Sequence, residues 1–152
     1  INTLINQKVA LTSLEPVHTL SNALVKIIGK TRELYFYKIG DSGIVLVDAP
    51  GYGFAKGNQK ELESWGKMVV KYLDHGTNLY RVLVLIDAEH GFKDLDFMLF
   101  DILERKQKPF VICFTKCDKI TDSKLEKLYQ EASERVKKYN FCSPIINSVS
   151  SK

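Results

Sequence analysis

Residues 44–51 read IVLVDAPG, an apolar run of strand length that ends in a carboxylate and a Pro-Gly turn. Further apolar runs of this length occur at residues 82–86, 110–114 and 144–149, and segments with helical spacing separate them. Continuous apolar runs are typical of strands buried on both faces, and strands that alternate with helices favour a parallel sheet. The sequence therefore predicts an α/β fold with a mostly parallel sheet and helices on both of its faces.

Three segments carry apolar residues at the spacing of one helical face. They are residues 61–73, residues 94–105 and a third helix, whose apolar positions continue as far as Tyr139. The third helix is expected to begin at Ser123, which forms a capping-box pattern with Glu126. The aromatic run at residues 34–39 and the turn at residues 40–43 predict a hairpin, and hence one antiparallel pair at the sheet edge. Residues 14–28 lack a clear period and are predicted to form a loop.

The composition bounds the protein to one globular domain, because the chain has 152 residues, of which 45% are hydrophobic and 26% charged. Its apolar runs fall far short of the roughly 20 residues that span a bilayer, so no membrane association is expected. The cysteines Cys113, Cys117 and Cys142 include no CxxC pair, which predicts neither a disulfide framework nor a zinc site and favours an intracellular location. The net charge of +4 permits a polyanionic partner without identifying one.

The first candidate site is the DAPG segment, residues 48–51, which has the pattern DxxG at the end of an apolar run. A carboxylate at the carboxyl end of a strand can hold Mg²⁺ through water, and a glycine lets a backbone N–H approach a phosphate. Because the pattern is short, an acidic strand end before an ordinary turn is the alternative. The candidate nucleotide-binding residues are Asp48, Ala49, Pro50 and Gly51.

The second candidate is the TKCD segment, residues 115–118, which follows the apolar run 110–114 and has the pattern [NT]KxD. A carboxylate there can accept hydrogen bonds from N1 and N2 of guanine, donors that adenine lacks, while a lysine stem can lie across the ring. The alternative is a polar loop that merely leaves a strand. A third segment is rich in serine, and its backbone N–H groups could contact the guanine O6. The candidates in these two segments are Thr115, Lys116, Cys117, Asp118, Ser150, Ser151 and Lys152.

The order of the three segments carries more information than any one of them, because each follows a predicted strand at the end where α/β sheets bind ligands. Together they predict a site for GTP or GDP with Mg²⁺. The sequence around them resembles the EngB-type GTPases, a group of P-loop GTPases. VDAPGYGFAK at residues 47–56 is similar to that family's VDLPGYGFAK, WGKM at 65–68 matches its WGKM, and LIDAEH at 85–90 resembles its LIDxRH, with Glu89 where arginine is usual.

This resemblance covers nearly the whole chain and implies a single Ras-like P-loop GTPase domain. Gly29, Lys30 and Thr31 are similar to the family's GKT switch element, so Thr31 would join Asp48 in holding Mg²⁺. Hydrolysis is expected to be slow, because Tyr52 stands where other GTPases have a water-positioning glutamine. The implied partner of a monomeric protein is the large ribosomal subunit precursor, with its rRNA and proteins, in bacterial cytoplasm or an organelle matrix.

Two departures from the family pattern stand out. The chain is longer than the family pattern between Ser13 and Gly29, which predicts an enlarged first switch. In the same segment, Ile28 replaces a proline of the family pattern. The GxxxxGK[ST] phosphate loop is not recognisable, since residues 1–6 resemble only the tail of the family's GKSSLIN. We therefore expect the natural protein to be longer at both ends, with a first strand and a last helix that this chain lacks, and we expect the chain alone to be inactive.

Two alternative functions remain open from the sequence. One is a GTPase-like module without a phosphate loop that binds protein or RNA independently of nucleotide. The other is a P-loop enzyme of another type, such as an ATPase, although TKCD favours guanine.

Overall fold

The computed structural model describes residues 9–14, 34–51, 59–75, 78–143 and 146–147. Their elements are, in chain order, β1 (Val9–Leu14), β2 (Tyr35–Ile39), β3 (Ile44–Ala49), α1 (Gln59–His75), β4 (Leu79–Asp87), α2 (Asp94–Arg105), β5 (Phe110–Thr115), α3 (Asp122–Val136) and β6 (Ile146–Asn147). A short 3-10 helix, Cys117–Lys119, lies between β5 and α3. The chain divides into two compact units, Ile1–Val82 and Leu83–Lys152. That the whole chain forms one domain stays a prediction.

The first unit contains antiparallel strands, with β3 between β2 and β1. The predicted hairpin is confirmed, since β2 and β3 pair antiparallel from Ile39 opposite Ile44. Its turn has Gly40 and Gly43 at φ of 50° and 72°, a region that glycine adopts at little cost. The antiparallel part is larger than the expected single pair, because β1 also pairs with β3. Strand β1 was not predicted from the sequence.

Helix α1 joins this sheet through aromatic side chains. Strand β3 alternates in burial, with Val45, Val47 and Ala49 buried. The ring of Phe36 on β2 lies 6.3 Å from that of Tyr72 on α1. The predicted helical face at residues 61–73 is confirmed, although the helix begins earlier, at Gln59, and ends later, at His75.

The second unit is built on β5, which is buried on both faces. Phe110, Val111 and Ile112 are successive residues with no exposed surface. Phe110 also stacks on Phe100 of α2, with ring centroids 5.4 Å apart. Because successive residues point to opposite faces of a strand, both faces of β5 are covered, as its continuous apolar run predicts. The pairing of β5 with β6 is parallel, which confirms the expected parallel character.

The helices of this unit test the boundary predictions. Helix α2 spans the predicted residues 94–105. The prediction that α3 begins at Ser123 is wrong, because Thr121 is the N-cap residue and its side chain accepts a hydrogen bond from the N–H of Lys124. The apolar period predicts that the same helix continues as far as Tyr139, but α3 ends at Val136. Tyr139 is buried beyond that end, and its hydroxyl donates to Asp101 at 2.7 Å.

Three remaining expectations concern loops, cysteines and membranes. Residues 15–28 of the predicted loop lie outside the described residues, as do 144, 145, 148 and 149 of the predicted last strand. Cys113, Cys117 and Cys142 are free thiols. Within the part of the chain that the structure describes, no helix is both long enough and apolar enough to cross a bilayer.

Candidate functional site

The TKCD segment begins at the last residue of β5 and is tied to the end of β4. The amide N–H of Ala88 donates to the carbonyl of Thr115 at 2.9 Å. The hydroxyl of Thr115 in turn donates to the carbonyl of Ile86 at 3.3 Å. Thr115 therefore joins the ends of two strands.

The next residues turn sharply into the short 3-10 helix. Lys116 has φ 58° and ψ 33°, a left-handed conformation that is uncommon for a residue with a side chain. Its carbonyl accepts from the N–H of Lys119 at 3.0 Å, which closes the turn. Cys117 is buried and its thiol lies 3.4 Å from the carbonyl of Phe114, whereas Asp118 is exposed. The segment thus presents the Asp118 carboxylate to solvent from a backbone that is tightly held.

Asp87, the last residue of β4, provides the charge that holds Lys116. Only 2% of its surface is exposed, and its Oδ2 lies 2.6 Å from the Lys116 ammonium nitrogen and 3.3 Å from Nδ1 of His90. Its Oδ1 accepts from the backbone N–H of Glu89 at 2.9 Å. Burial acts to raise the pKa of Asp87, but the hydrogen bonds from Lys116 and Glu89 outweigh it and hold the pKa below its usual value.

An outer group of charges surrounds this pair. The carboxylate of Glu89 lies 3.5 Å from the Lys119 ammonium and 4.0 Å from that of Lys116. The Lys124 ammonium donates to the backbone carbonyl of Glu89 at 2.7 Å. Since Glu89 and Lys119 are 36% and 50% exposed, solvent screens this outer pair far more than the Asp87 pair.

Asp87 is a site residue that the sequence analysis did not single out. It belongs to the LIDAEH stretch, which was used only for the family likeness. A signal was present, because Asp87 directly follows the apolar run 82–86 in the way that Asp48 follows 44–47. A search for an acidic residue directly after each apolar run would have identified both Asp48 and Asp87.

The DAPG segment lies in the first unit and is held differently. Asp48 is half-buried on β3, opposite Ala10 of β1 and Tyr35 of β2. The carbonyl of Pro50 accepts a 2.6 Å hydrogen bond from the indole N–H of Trp65 on α1. Gly51, the next residue, is buried. An indole donor on a helix thus holds the backbone just after the Asp48 carboxylate.

The donors of the DAPG segment fit the expected Mg²⁺. Among the described residues, no group of three or more His, Cys, Asp or Glu side chains is arranged to hold a metal. Mg²⁺ in nucleotide sites needs only one or two protein oxygens, because water and phosphate oxygens complete its coordination. The single carboxylate of Asp48 at a strand end suits such a site.

The other predicted site residues lie outside the described residues, namely Gly29, Lys30, Thr31, Ser150, Ser151 and Lys152. The structure brings Lys116 and Asp87 together, and it places Asp48 and Asp118 in separate units. That these segments meet at one guanine nucleotide stays a prediction.

An α/β fold with DxxG at the end of one strand and an anchored [NT]KxD at the end of another defines the class of P-loop GTPases. A family model described as "50S ribosome-binding GTPase" matches residues 1–116. The chain therefore belongs to this GTPase family and, with the relatives that follow, to its EngB-type group.

Three relatives, each named "Probable GTP-binding protein EngB", illustrate the match. The protein from Mesorhizobium japonicum is 36% identical over an alignment that covers 100% of this chain and 70% of the relative. That from Bradyrhizobium diazoefficiens is 36% identical over 82% of this chain and 58% of the relative. That from Pediococcus pentosaceus is 41% identical over 81% and 57%. The chain thus spans little more than half the length of most of these relatives.

Proposed function

We propose that the protein containing this chain binds GTP and GDP with Mg²⁺, hydrolyses GTP slowly and acts as a switch in assembly of the large ribosomal subunit. The observation that carries the proposal is the geometry of the TKCD segment. Its lysine is locked to a buried carboxylate, and its aspartate is exposed at the end of a buried strand. Family membership supports guanine-nucleotide binding, because the relatives are named as GTP-binding proteins.

Each residue has a chemical role in this proposal. Asp118 would accept the N1–H and N2–H of guanine, and the stem of Lys116 would lie across the ring. On the phosphate side, the N–H of Gly51 would contact the γ-phosphate, while Asp48 and Thr31 would hold Mg²⁺. The cation, when bound, neutralises the negative charge on the β- and γ-phosphate oxygens.

The switch would follow from loss of the γ-phosphate. Its departure removes the partner of the Gly51 amide and of the Thr31 loop, and GTPases signal through order and disorder of such loops. Tyr52 in place of a water-positioning glutamine supports slow hydrolysis.

The ribosomal partner is supported by the family's description as 50S ribosome-binding and by the net charge of +4, which suits a polyanion. We propose that the protein acts as a monomer and binds a precursor of the large subunit. The setting is bacterial cytoplasm or an organelle matrix.

Nucleotide selectivity of the complete natural protein tests the core of the proposal. We expect GTP and GDP to compete for the site and ATP not to compete. Asp118→Asn should lower guanine affinity by roughly a hundredfold or more, because hydrogen bonds to a charged group contribute about 1.5–3 kcal/mol each, and should favour xanthine nucleotides. The exposed turn residue Asp41 gives a matched control, Asp41→Asn, that should bind as wild type.

Two kinds of result would contradict the proposal. Binding that does not distinguish GTP from ATP, or no binding, would favour the nucleotide-independent module. Unchanged guanine preference in Asp118→Asn would remove the base-recognition role of Asp118.

Sedimentation tests the ribosomal role separately. The protein should travel with large-subunit precursors when it holds a non-hydrolysable GTP analogue and should be released with GDP. Equal sedimentation in both states would contradict a nucleotide-controlled switch while leaving nucleotide binding intact.

A further inference from the structure

We infer that Asp87 is a positioning residue for guanine recognition, because it fixes the side chain of Lys116 in the place where the base would meet it. The inference deepens the proposed function and rests on it. It assigns a role in nucleotide affinity to a carboxylate that lies outside the TKCD segment and does not itself reach the base.

The Asp87 carboxylate is itself held on both of its oxygens. Oδ1 accepts the N–H of Glu89 at 2.9 Å, while Oδ2 lies 2.6 Å from the Lys116 ammonium and 3.3 Å from the His90 ring. With only 2% of its surface exposed, it has little freedom to rotate toward other partners. A buried carboxylate with fixed geometry therefore determines where the ammonium lies.

The other end of the Lys116 side chain is fixed by the backbone. Its left-handed φ of 58° is imposed between Thr115, which is bonded to the end of β4, and the 3-10 helix that follows. The side chain is therefore held at both its ends and keeps 18% of its surface exposed. A stem in this state has already lost most of the rotamer freedom that a free lysine loses on packing against a ligand.

Preorganisation of this kind strengthens binding to the ring without reading its substituents. Asp118 would discriminate guanine through its exocyclic amine, whereas the aliphatic stem would contact the ring face. Loss of the Asp87 anchor should therefore weaken guanine and hypoxanthine nucleotides by the same factor.

Glu89 provides a matched control close to the same ammonium. Its carboxylate is 4.0 Å from Lys116 and 36% exposed, so it adds a screened charge rather than an anchor. Glu89→Gln removes a negative charge near Lys116 and should change nucleotide affinity less than twofold. Asp87→Asn keeps an acceptor of the same shape and removes the charge that fixes the ammonium.

The experiment measures dissociation constants of the complete natural protein for GDP and inosine diphosphate. Asp87→Asn should weaken both by roughly three- to tenfold, the cost of immobilising one flexible side chain. Equal losses of affinity for the two nucleotides indicate that only the position of the Lys116 stem has changed. General damage to the pocket would also disturb Asp118 and would change the ratio of the two dissociation constants.

A double-variant cycle completes the test. Lys116→Met keeps the apolar stem without its ammonium, and combining it with Asp87→Asn leaves no unpaired buried charge. If Asp87 acts through Lys116, the double variant should bind GDP as Lys116→Met does. If Lys116→Met alone is too unstable, the dissociation constants of Asp87→Asn for the two nucleotides, and their ratio, decide the question.

Three results would overturn the inference. They are wild-type affinity in Asp87→Asn, unequal losses for the two nucleotides, and a further loss in the Lys116→Met background. A wild-type protein that does not prefer GDP over ADP would instead overturn the proposed function, and this inference with it.

Discussion

The DAPG and TKCD segments both lie at the ends of apolar strands, yet they are held by different forces. In the TKCD segment, a charged pair fixes the structure, with the Lys116 ammonium 2.6 Å from the buried Asp87 carboxylate. In the DAPG segment, a neutral hydrogen bond ties the Pro50 carbonyl to the Trp65 indole at the same distance of 2.6 Å. The two contacts are equally short, but one joins charged groups and the other joins neutral groups.

The two kinds of contact predict different tolerance to substitution. A buried ion pair strongly resists removal of one partner, because the other charge is left without compensation in a poorly solvated place. A hydrogen bond between neutral groups costs less to lose and does not respond to pH. The TKCD segment is therefore suited to a fixed template for a base, whereas the hydrogen bond that holds the DAPG segment should be easier to break.

The largest expected effect comes from removing the ammonium of the TKCD segment. Lys116→Met should lower the free energy of unfolding by about 3–5 kcal/mol, because it leaves the Asp87 carboxylate buried without its main cation. Urea denaturation at neutral pH measures the loss.

Lys119→Met is the matched control, since Lys119 is 50% exposed and its partner Glu89 is screened. It should cost about 1 kcal/mol or less. Equal losses for the two lysines would show that burial of Asp87 does not strengthen its pair.

The indole of the DAPG segment should have an intermediate effect. Trp65→Phe keeps an aromatic ring on α1 and removes the N–H that the Pro50 carbonyl accepts. We expect a loss of about 1–3 kcal/mol in the free energy of unfolding, because a part-buried carbonyl is left without this donor. A loss as large as that of Lys116→Met would erase the proposed contrast between the two segments.

A smaller effect concerns the start of α3, which continues the chain from the TKCD segment. Thr121→Ala should lower stability by about 1 kcal/mol, because the threonine side chain accepts the N–H of Lys124. Ser123→Ala should change it little, since Ser123 lies within the first turn. The reverse ranking in thermal denaturation would restore Ser123 as the helix cap.

The boundary of α3 shows where sequence reasoning stops. Thr121 and Ser123 are both good cap residues, and only the backbone selects between them, with Thr121 extended at φ −77° and ψ 154°. By contrast, α2 was predicted at residues 94–105 because its apolar period is clear on both sides. Local patterns therefore predict helices better than they predict helix ends.

Long-range partners set the second limit. Strand β1 forms against β3, and nothing in the short run VALTSL specifies that partner. Likewise, Asp87 and Lys116 stand 29 residues apart, and both were visible as charged residues after apolar runs. The motifs could be predicted because their chemistry is local, whereas the pairing that anchors Lys116 depends on two strand ends that are joined only in the fold.

The smallest expected effect is a change with pH that distinguishes the two anchors. The folded pKa of Asp87 lies below its usual value, so its pairing stabilises the protein at pH values above the pKa of the unfolded state. The contribution is lost as pH falls through the folded pKa. The stability difference between wild type and Asp87→Asn should therefore stay constant above about pH 5 and shrink below about pH 4.

Trp65→Phe supplies the comparison, because neither an indole nor a carbonyl titrates in this range. Its stability difference from wild type should stay constant from neutral pH down to the same acidic values, measured by urea denaturation at each pH. Comparing each variant with wild type cancels the titration of all carboxylates that the two proteins share. If Asp87→Asn also kept a constant difference in acid, the Asp87 charge would not be what stabilises the TKCD segment, and the two segments would be held by the same kind of force.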